Sequence, residues 1–488
     1  MTRYTPPGHF RSVEAFAAFL RALDPEVCCA TKLLGGDGPL GRPMRVYGRA
    51  VGNRFAVQPM EGWDAAPDGL PSEHTLRRWR HFGESGAKLI WGGEAFAVQY
   101  EGRANPNQLF LNPDADIEQG LRSLLDEINS GHAAIGQTTD DLLIGLQLTH
   151  SGRFSRPDAS GPKPRIVQHH PVLADKYGLA RDLPLVTDTE LKKIGESFVR
   201  AAALSQRVGF DFVDVKCCHG YLLHELLGAH TRSGPYGGSF ENRTRLFRRI
   251  VEGIRTECPG LAIAVRISIT DVYPFTLNEA TGLGEPQGID EHKPYRYGFG
   301  VQPDAPLEPD FHEPMRFLEL LRSLDIRLVN ITIGSPYYCP HVQRPARYPP
   351  SDGYQPPEDP LRSVLRHLNA VRICKRAFPD LAFVGSGYSY LQEYLPHVAQ
   401  AQVGAGHVDF IGLGRMILPY PQFPRDVLSG AQLRKKKLCR TFSDCTTAPR
   451  NAMISGCYPL DAHYKQLPQA TELRLIKKAR KTPVRRST

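Results

Sequence analysis

Nowhere does this 488-residue chain carry an apolar run long enough to cross a bilayer, so no membrane-spanning helix is expected. Residues 1–11 lack the apolar core of a secretory signal peptide. The ten cysteines lack the regular spacing of a disulfide framework, and Cys28/Cys29 and Cys217/Cys218 are adjacent pairs that rarely suit a bridge. Together these absences predict a soluble protein of a reducing, cytoplasmic compartment. No solenoid-type repeat is present. The early part of the chain also lacks the glycine turn that a doubly wound dinucleotide-binding sheet would need.

Acidic residues are missing from the end of the chain. From Arg474 onward there are seven basic residues (Arg474, Lys477, Lys478, Arg480, Lys481, Arg485, Arg486) and no acid. Setting them aside leaves about +2 of the formal +9. The basicity is therefore mostly a tail, expected to be solvated and disordered, and nucleic acid is not an expected partner.

What the chain does have is alternation of strand-like and helix-like segments, the pattern of parallel α/β architecture. Strand candidates cover 54–60, 87–91, 142–148, 210–216, 261–268, 327–333, 381–384 and 407–412. Helix candidates lie between them: one capped by Ser72, then 116–130, 187–207, 241–257, 313–324, 362–378 and 390–403. Eight strands is the number that closes a barrel, so a (β/α)₈ barrel is predicted, with long active-face loops and a C-terminal extension. The expected organisation is an N-terminal arm at 1–45, the barrel at 46–430, and an extension with the basic tail at 431–488. Two connections, 151–186 and 270–310, are long enough to be lids or substrate walls.

In such a barrel the chemistry lies just after each strand. Residues of chemical character fall at those places: Pro59 and Met60, Gly93, Gln147, Lys216 to Tyr221, Arg266, Gly385 and Gly387, and Gly414 and Arg415. The most specific stretch is Val215-Lys216-Cys217-Cys218-His219-Gly220-Tyr221, continuing to Tyr236-Gly237-Gly238-Ser239-Phe240-Glu241-Asn242-Arg243. It resembles the diagnostic block of the old yellow enzyme (NADH:flavin oxidoreductase) family, in which a strand ends in a substrate-binding pair followed by a tyrosine. The resemblance covers roughly Asn53 to Pro419.

That resemblance implies FMN as cofactor, NADH or NADPH as reductant, and a small-molecule substrate. Lys216 and His219 take the place of the two donors to a conjugated carbonyl oxygen, where negative charge builds. Tyr221 takes the place of the acid that protonates the α-carbon. Gln58-Pro59-Met60 resembles the family's first-strand end beside the flavin, and Gly93 ends the second strand. Gln147, in Gln147-Leu148-Thr149-His150-Ser151-Gly152-Arg153, matches the glutamine facing the flavin pyrimidine. His150 and Arg153 are expected to hold their loop. Arg266 matches the cation near flavin N1 and O2. Gly385, Gly387, Gly414 and Arg415 follow the seventh and eighth strands, where barrels commonly bind a cofactor phosphate. FMN is favoured over FAD because nothing resembles an adenosine-binding module.

Three departures stand out. Lys216 replaces a histidine, and it either faces the substrate or turns aside to pair with an acid such as Glu61 or Glu94. Glu61 stands where relatives often carry Thr or Cys. The four-cysteine iron–sulfur motif of larger relatives is incomplete: Cys445 and Cys457 remain, Cys439 is out of place, and Leu438 and Phe442 occupy the matching positions. No metal is therefore expected. The main expectation is NAD(P)H-driven reduction of activated alkenes. An oxidative flavoenzyme, such as an amine demethylase or a dehydrogenase, and a flavin-free binding barrel remain as alternatives. Homo-oligomerisation is left open.

Overall fold

A computed structural model describes residues 4–481. Eight parallel strands close into a barrel: β1 (Phe55–Val57), β2 (Leu89–Ile90), β3 (Leu143–Thr149), β4 (Phe212–Val215), β5 (Ala262–Ser268), β6 (Leu328–Thr332), β7 (Ala382–Gly385) and β8 (Phe410–Leu413). β8 pairs with β1, and β2 pairs with β3, so no edge remains open. Each expected strand corresponds to one of these eight. The helices that follow them are α1 (Glu73–Gly83), α2 (Ile117–Ala134), α3 (Asp188–Val208), α4 (Arg245–Glu257), α5 (His312–Ser323), α6 (Pro360–Ala377), α7 (Leu395–Gly404) and α8 (Phe423–Leu428).

Local sequence sets these boundaries. Ser72 caps α1, accepting from the backbone of His74 and Thr75, and Thr187 caps α3 in a box closed by Glu190. The helix expected over 241–257 is interrupted at Thr244, so that Phe240–Arg243 forms its own turn with Ser239 as cap. The helix expected from 390 starts at Leu395 instead. Residues 388–394 form 3₁₀ turns broken at Gln392, whose φ is 53°. β2 stops at Gly92, where φ is 98° and a Cβ would meet Gln147 N at 2.6 Å. The chain then resumes as a short strand, Ala95–Ala97, along β3.

The barrel lumen is filled by one apolar cluster to which every strand contributes, including Ala56, Leu89, Leu143, Phe212, Leu328 and Phe410. An antiparallel hairpin, 44–46 with 49–51, adds Val46 and Val51 to this cluster. Its Tyr47 hydroxyl donates to Ile263 O and accepts from the backbone of Arg327 and Leu328. These contacts cover the N-terminal strand ends and leave the opposite end for a site. A larger apolar cluster fills the layer between strands and helices.

The flanking segments are built into the domain. In the N-terminal arm, helix Val13–Leu23 buries Phe16 against Tyr394, with stacked rings 4.2 Å apart. The C-terminal extension forms helices Asp444–Arg450, Ala462–Gln466 and Gln469–Lys481 around their own small apolar cluster. Arg77 of α1 clamps it through two 3.0 Å bonds to Asp461. The basic segment expected to be disordered is thus helical as far as Lys481, because Leu473 is buried and Lys477 pairs with Asp444. Arg485 and Arg486 lie outside the described residues. No helix among the described residues is long and apolar enough to cross a membrane.

Candidate active site

At the C-terminal strand ends lies a cavity of about 520 Å³. Lys216, His219 and Tyr221 line it from the end of β4. Pro59, Met60 and Gln147 line it from β1 and β3, and Arg266 from β5. Gly387, Gly414 and Arg415 complete it from β7 and β8. Gly93 and Gly385 are not among the residues that line it. A Cβ on Gly93 would point at Trp79, and one on Gly385 at Tyr388. Their carbonyls instead support the wall: Gly93 O accepts from Met60 N, and Gly385 O from Gln58 Nε2.

The cavity floor is a hydrogen-bonded layer. Gln58 and Asn330 exchange amide hydrogen bonds at 3.3 and 2.8 Å. Asp214, on β4, is fully buried and accepts from Trp91 Nε1 at 2.7 Å, Gln147 Nε2 at 2.6 Å and Arg266 N at 2.7 Å. Burial nevertheless holds its carboxyl above the usual aspartate range. Asp214 fixes the Gln147 amide nitrogen and leaves the carbonyl oxygen without a protein donor among the described residues. The only sequence sign of this role is an acid inside the apolar strand Phe212-Val213-Asp214-Val215.

Lys216 is buried, and its ammonium lies 3.7 Å from the centroid of the Tyr221 ring. Among the described residues it pairs with no carboxylate. Of the two acids weighed as partners, Glu94 is held by Arg78 Nη2 at 2.6 Å and by Gly62 N at 2.8 Å. Glu61 accepts instead from the Tyr221 hydroxyl. Burial pulls the Lys216 pKa below that of a free lysine. His219 has a φ of 67°, with its backbone held by Ser268 and Ser335. Its Nε2 meets the Gln343 amide at 3.0 Å, and burial, then Arg266 and Lys216, drive its pKa far down, which keeps it neutral. Burial, Glu61 and Tyr337 push the Tyr221 phenol well above its ordinary pKa.

Several cationic groups here have unused donors. Arg266 Nη1 reaches Pro59 O at 3.2 Å, but its buried Nε has no partner. Arg415 Nη2 reaches Pro345 O at 2.9 Å, and its buried Nη1 has none. Burial and the adjacent Arg344 bring the Arg415 pKa down to about 10. Two guanidiniums side by side, with an unused donor on Arg415, suit an anion. Beside them, a Cβ on Gly414 would meet only Gln58 Cβ, at 3.9 Å, so this backbone is open to close approach.

The roof differs from expectation. Connection 151–186 contributes Phe154, Tyr177 and Leu179, but 270–310 contributes nothing. Tyr273 and Tyr295 tie that second loop to His170, away from the cavity. In its place the loop after β6 supplies Tyr337, Gln343 and Arg344, and the extension supplies Cys445, Arg450 and Ser455. Phe154 stacks on Tyr337 at 4.1 Å, and Arg450 lies 4.9 Å from the Tyr337 centroid. His150 and Arg153 hold the roof loop: His150 Nδ1 accepts from Gly152 N, and Arg153 pairs with Glu225 at 2.6 Å. Among the described residues no group of three or more His, Cys, Asp or Glu side chains is arranged to hold a metal.

The sequence matches the model of the NADH:flavin oxidoreductase / NADH oxidase family over residues 39–282, half of the chain. The chain belongs to this family. FMN is its cofactor and NADH or NADPH the reductant of this family, and the donor set above fits a flavin with a phosphate. A NADH:flavin oxidoreductase of Gibberella zeae is 29% identical over 256 residues, 49% of this chain and 59% of that protein. The chain spans about six-tenths of the length of such curated relatives. Among solved structures, a 2-naphthoyl-CoA reductase complex superposes with a TM-score of 0.62 at 17% identity, covering 89% of this chain and 58% of that one. An old yellow enzyme homologue from Zymomonas mobilis superposes at 0.54 and 21% identity, covering 81% of this chain and 94% of that one. At these identities the two structures speak for the fold of this family member.

Proposed function

We propose that this protein uses NADH or NADPH to reduce small alkenes conjugated to a carbonyl. One observation carries the reading: Lys216, His219 and Tyr221 converge on the same cavity as the unused donors of Arg266 and Arg415. Arg344 and Arg415, with the backbone at Gly387 and Gly414, would hold the FMN phosphate. Arg266 would face the N1 and O2 edge, and the free carbonyl of Gln147 would accept from the pyrimidine. Pro59 and Met60 would form the wall beside the ring. Bound FMN supplies hydride to the β-carbon of the alkene.

The protein's own groups do the rest. Lys216 and His219 donate to the carbonyl oxygen as its negative charge grows, the neutral imidazole through a ring N–H and the lysine through its ammonium. Tyr221 holds the proton destined for the α-carbon. The aromatic roof of Phe154 and Tyr337 restricts water, which strengthens each of these contacts. Because Lys216 brings a full charge, carbonyl compounds bearing an anionic oxygen, or phenolate inhibitors, are favoured ligands.

The test has two steps. First, heat-released chromophore is identified, and FMN is expected. Second, the holoprotein is bleached anaerobically with NADH or NADPH and reoxidised with a panel of enones, giving the saturated ketone. FAD, or a flavin that nicotinamides leave oxidised while an amine or ring ketone reduces it, would contradict the proposal.

A further inference from the structure

Glu61 follows β1 and Tyr221 follows β4, 160 residues away, yet the Tyr221 hydroxyl donates to Glu61 Oε2. The Tyr337 hydroxyl, from the loop after β6, lies 2.7 Å from that of Tyr221 and 3.3 Å from the same carboxylate oxygen. Asn105 Nδ2 donates to Glu61 Oε1 at 3.4 Å. One carboxylate thus gathers two phenols and an amide from three separate loops. Phe154, stacked on Tyr337, and Tyr177, whose hydroxyl donates to Tyr337 O at 2.9 Å, keep the cluster in place.

This arrangement constrains any proton that Tyr221 moves. If Tyr221 gave its proton to a carbon while Glu61 stayed ionised, a phenolate and a carboxylate would stand in contact inside a poorly solvated site. The charge is relieved if the carboxyl itself carries a proton and passes it on.

We propose that Glu61 is the proton-exchange partner of Tyr221, supplying through its carboxyl the proton that replaces the one Tyr221 delivers. In the reductive direction the Tyr221 O–H bond breaks as the α-carbon C–H bond forms. In the same step the Glu61 O–H bond breaks as the Tyr221 O–H bond forms again, so that no phenolate stands beside the carboxylate, and Glu61 recovers its proton from water. In the oxidative direction each transfer reverses, and the Glu61 carboxylate ends protonated. Glu61 is a positioning residue that acts through Tyr221, and the inference rests on reading Tyr221 as the substrate's acid.

The groups facing Glu61 are Lys216 and Tyr221 from the end of β4, Tyr337 from the loop after β6, Asn105, and Arg450 from the extension. A carboxyl can pass on a proton only in its protonated form, which acid favours, so the proposed relay predicts a reductive step that quickens as pH falls.

The experiment follows single-turnover reoxidation of reduced holoenzyme by 2-cyclohexenone across a pH series, in wild type, Glu61→Gln and Glu61→Asp. Glutamine should slow the step by about 10²-fold at acid pH, the low end for a lost proton donor, and abolish its acid dependence. Aspartate should restore that dependence. A Glu61→Gln profile that follows the wild type would overturn the proposal. A second readout needs no turnover: alkaline titration of tyrosine absorbance. Removing the carboxylate should let one tyrosine ionise at lower pH in Glu61→Gln but not in Glu61→Gln/Tyr221→Phe. An unchanged titration would overturn the pairing. Wild type that reduces no enone but shows the tyrosine shift would defeat the alkene reading and support the pairing.

Discussion

The Lys216 ammonium lies 3.7 Å from the centroid of the Tyr221 ring, with no carboxylate partner among the described residues. Five residues apart on one strand end, the two side chains put a positive charge and a phenol on the same cavity wall. Neither Glu61 nor Glu94 forms an ion pair with it among the described residues, which supports the proposal that its charge meets an anionic ligand. Titration with a para-substituted phenol, followed by any charge-transfer absorbance, should therefore show phenolate binding that weakens by about 1.5–3 kcal/mol in Lys216→Met and partly recovers in Lys216→His. Burial lowers the lysine pKa, so the attraction is present at lower pH and is lost as pH rises through that lowered value, before free lysine would deprotonate. Equal affinity in the Met variant, with flavin still bound, would make Lys216 part of the scaffold.

The paired guanidiniums give a separate test. If Arg344 and Arg415 hold the phosphate, replacing either with Met should weaken FMN binding by roughly 10- to 100-fold, the range for a hydrogen bond to a charged group. Riboflavin, which has no phosphate, should bind wild type and variants alike. Fluorescence quenching of each flavin by apoprotein measures this. Parallel losses for both flavins would mean that the arginines shape the pocket and do not read the phosphate.

Arg78 bridges two fully buried carboxylates, at 2.6 Å from both Asp64 and Glu94. Burial holds Glu94 above the usual glutamate range. Arg78→Met leaves both acids unpaired and should cost about 3–5 kcal/mol in urea unfolding. A raised carboxyl pKa means that the folded state keeps a proton the unfolded state has lost. Stability therefore falls as pH rises from the ordinary glutamate range through the raised value. The variant's deficit should accordingly be larger at alkaline than at mildly acidic pH, and a deficit independent of pH would contradict this assignment.

The extension keeps Cys445 and Cys457 of the motif, but Leu438, completely buried, and Phe442 stand where the other two thiols would be needed, and Arg344 and Arg415 crowd the out-of-place Cys439 with positive charge. Purified protein should contain neither stoichiometric iron nor acid-labile sulfide. Finding both would overturn this reading of the cysteines.

How much of this was legible beforehand follows the range of each signal. The eight strands and the spacing of Lys216, His219 and Tyr221 are local patterns, and the chain shows them directly. Arg266, Gln147 and Arg415 are strand-end residues that a closed barrel necessarily brings to one rim. Whether Gly93 and Gly385 line the cavity is not legible in the sequence, because a glycine at a strand end does not reveal which side of the wall its Cα faces. Tyr337, Arg344 and Arg450 are not marked in the sequence, because their segments carry no distinctive spacing and are brought to the cavity by tertiary contacts such as Arg450–Asp352 at 3.1 Å. Glu61 was visible as an odd residue, but its bond to Tyr221 exists only once β1 and β4 face each other across the barrel. The extension looked like a tail because its charge is obvious and its single apolar face, with Leu473 at the centre, is small.

The most direct measurement separates the two half-reactions in Tyr221→Phe, which removes the hydroxyl and keeps the ring. In wild type, nicotinamide should bleach the flavin and an enone should restore its colour. In the variant, stopped-flow bleaching should persist, since reduction of the flavin draws no proton from this hydroxyl. Reoxidation by the enone should slow by about 10²- to 10⁴-fold, the range for a lost general acid. Equal slowing of both steps, or an unchanged enone step, would contradict Tyr221 as the residue that protonates the substrate.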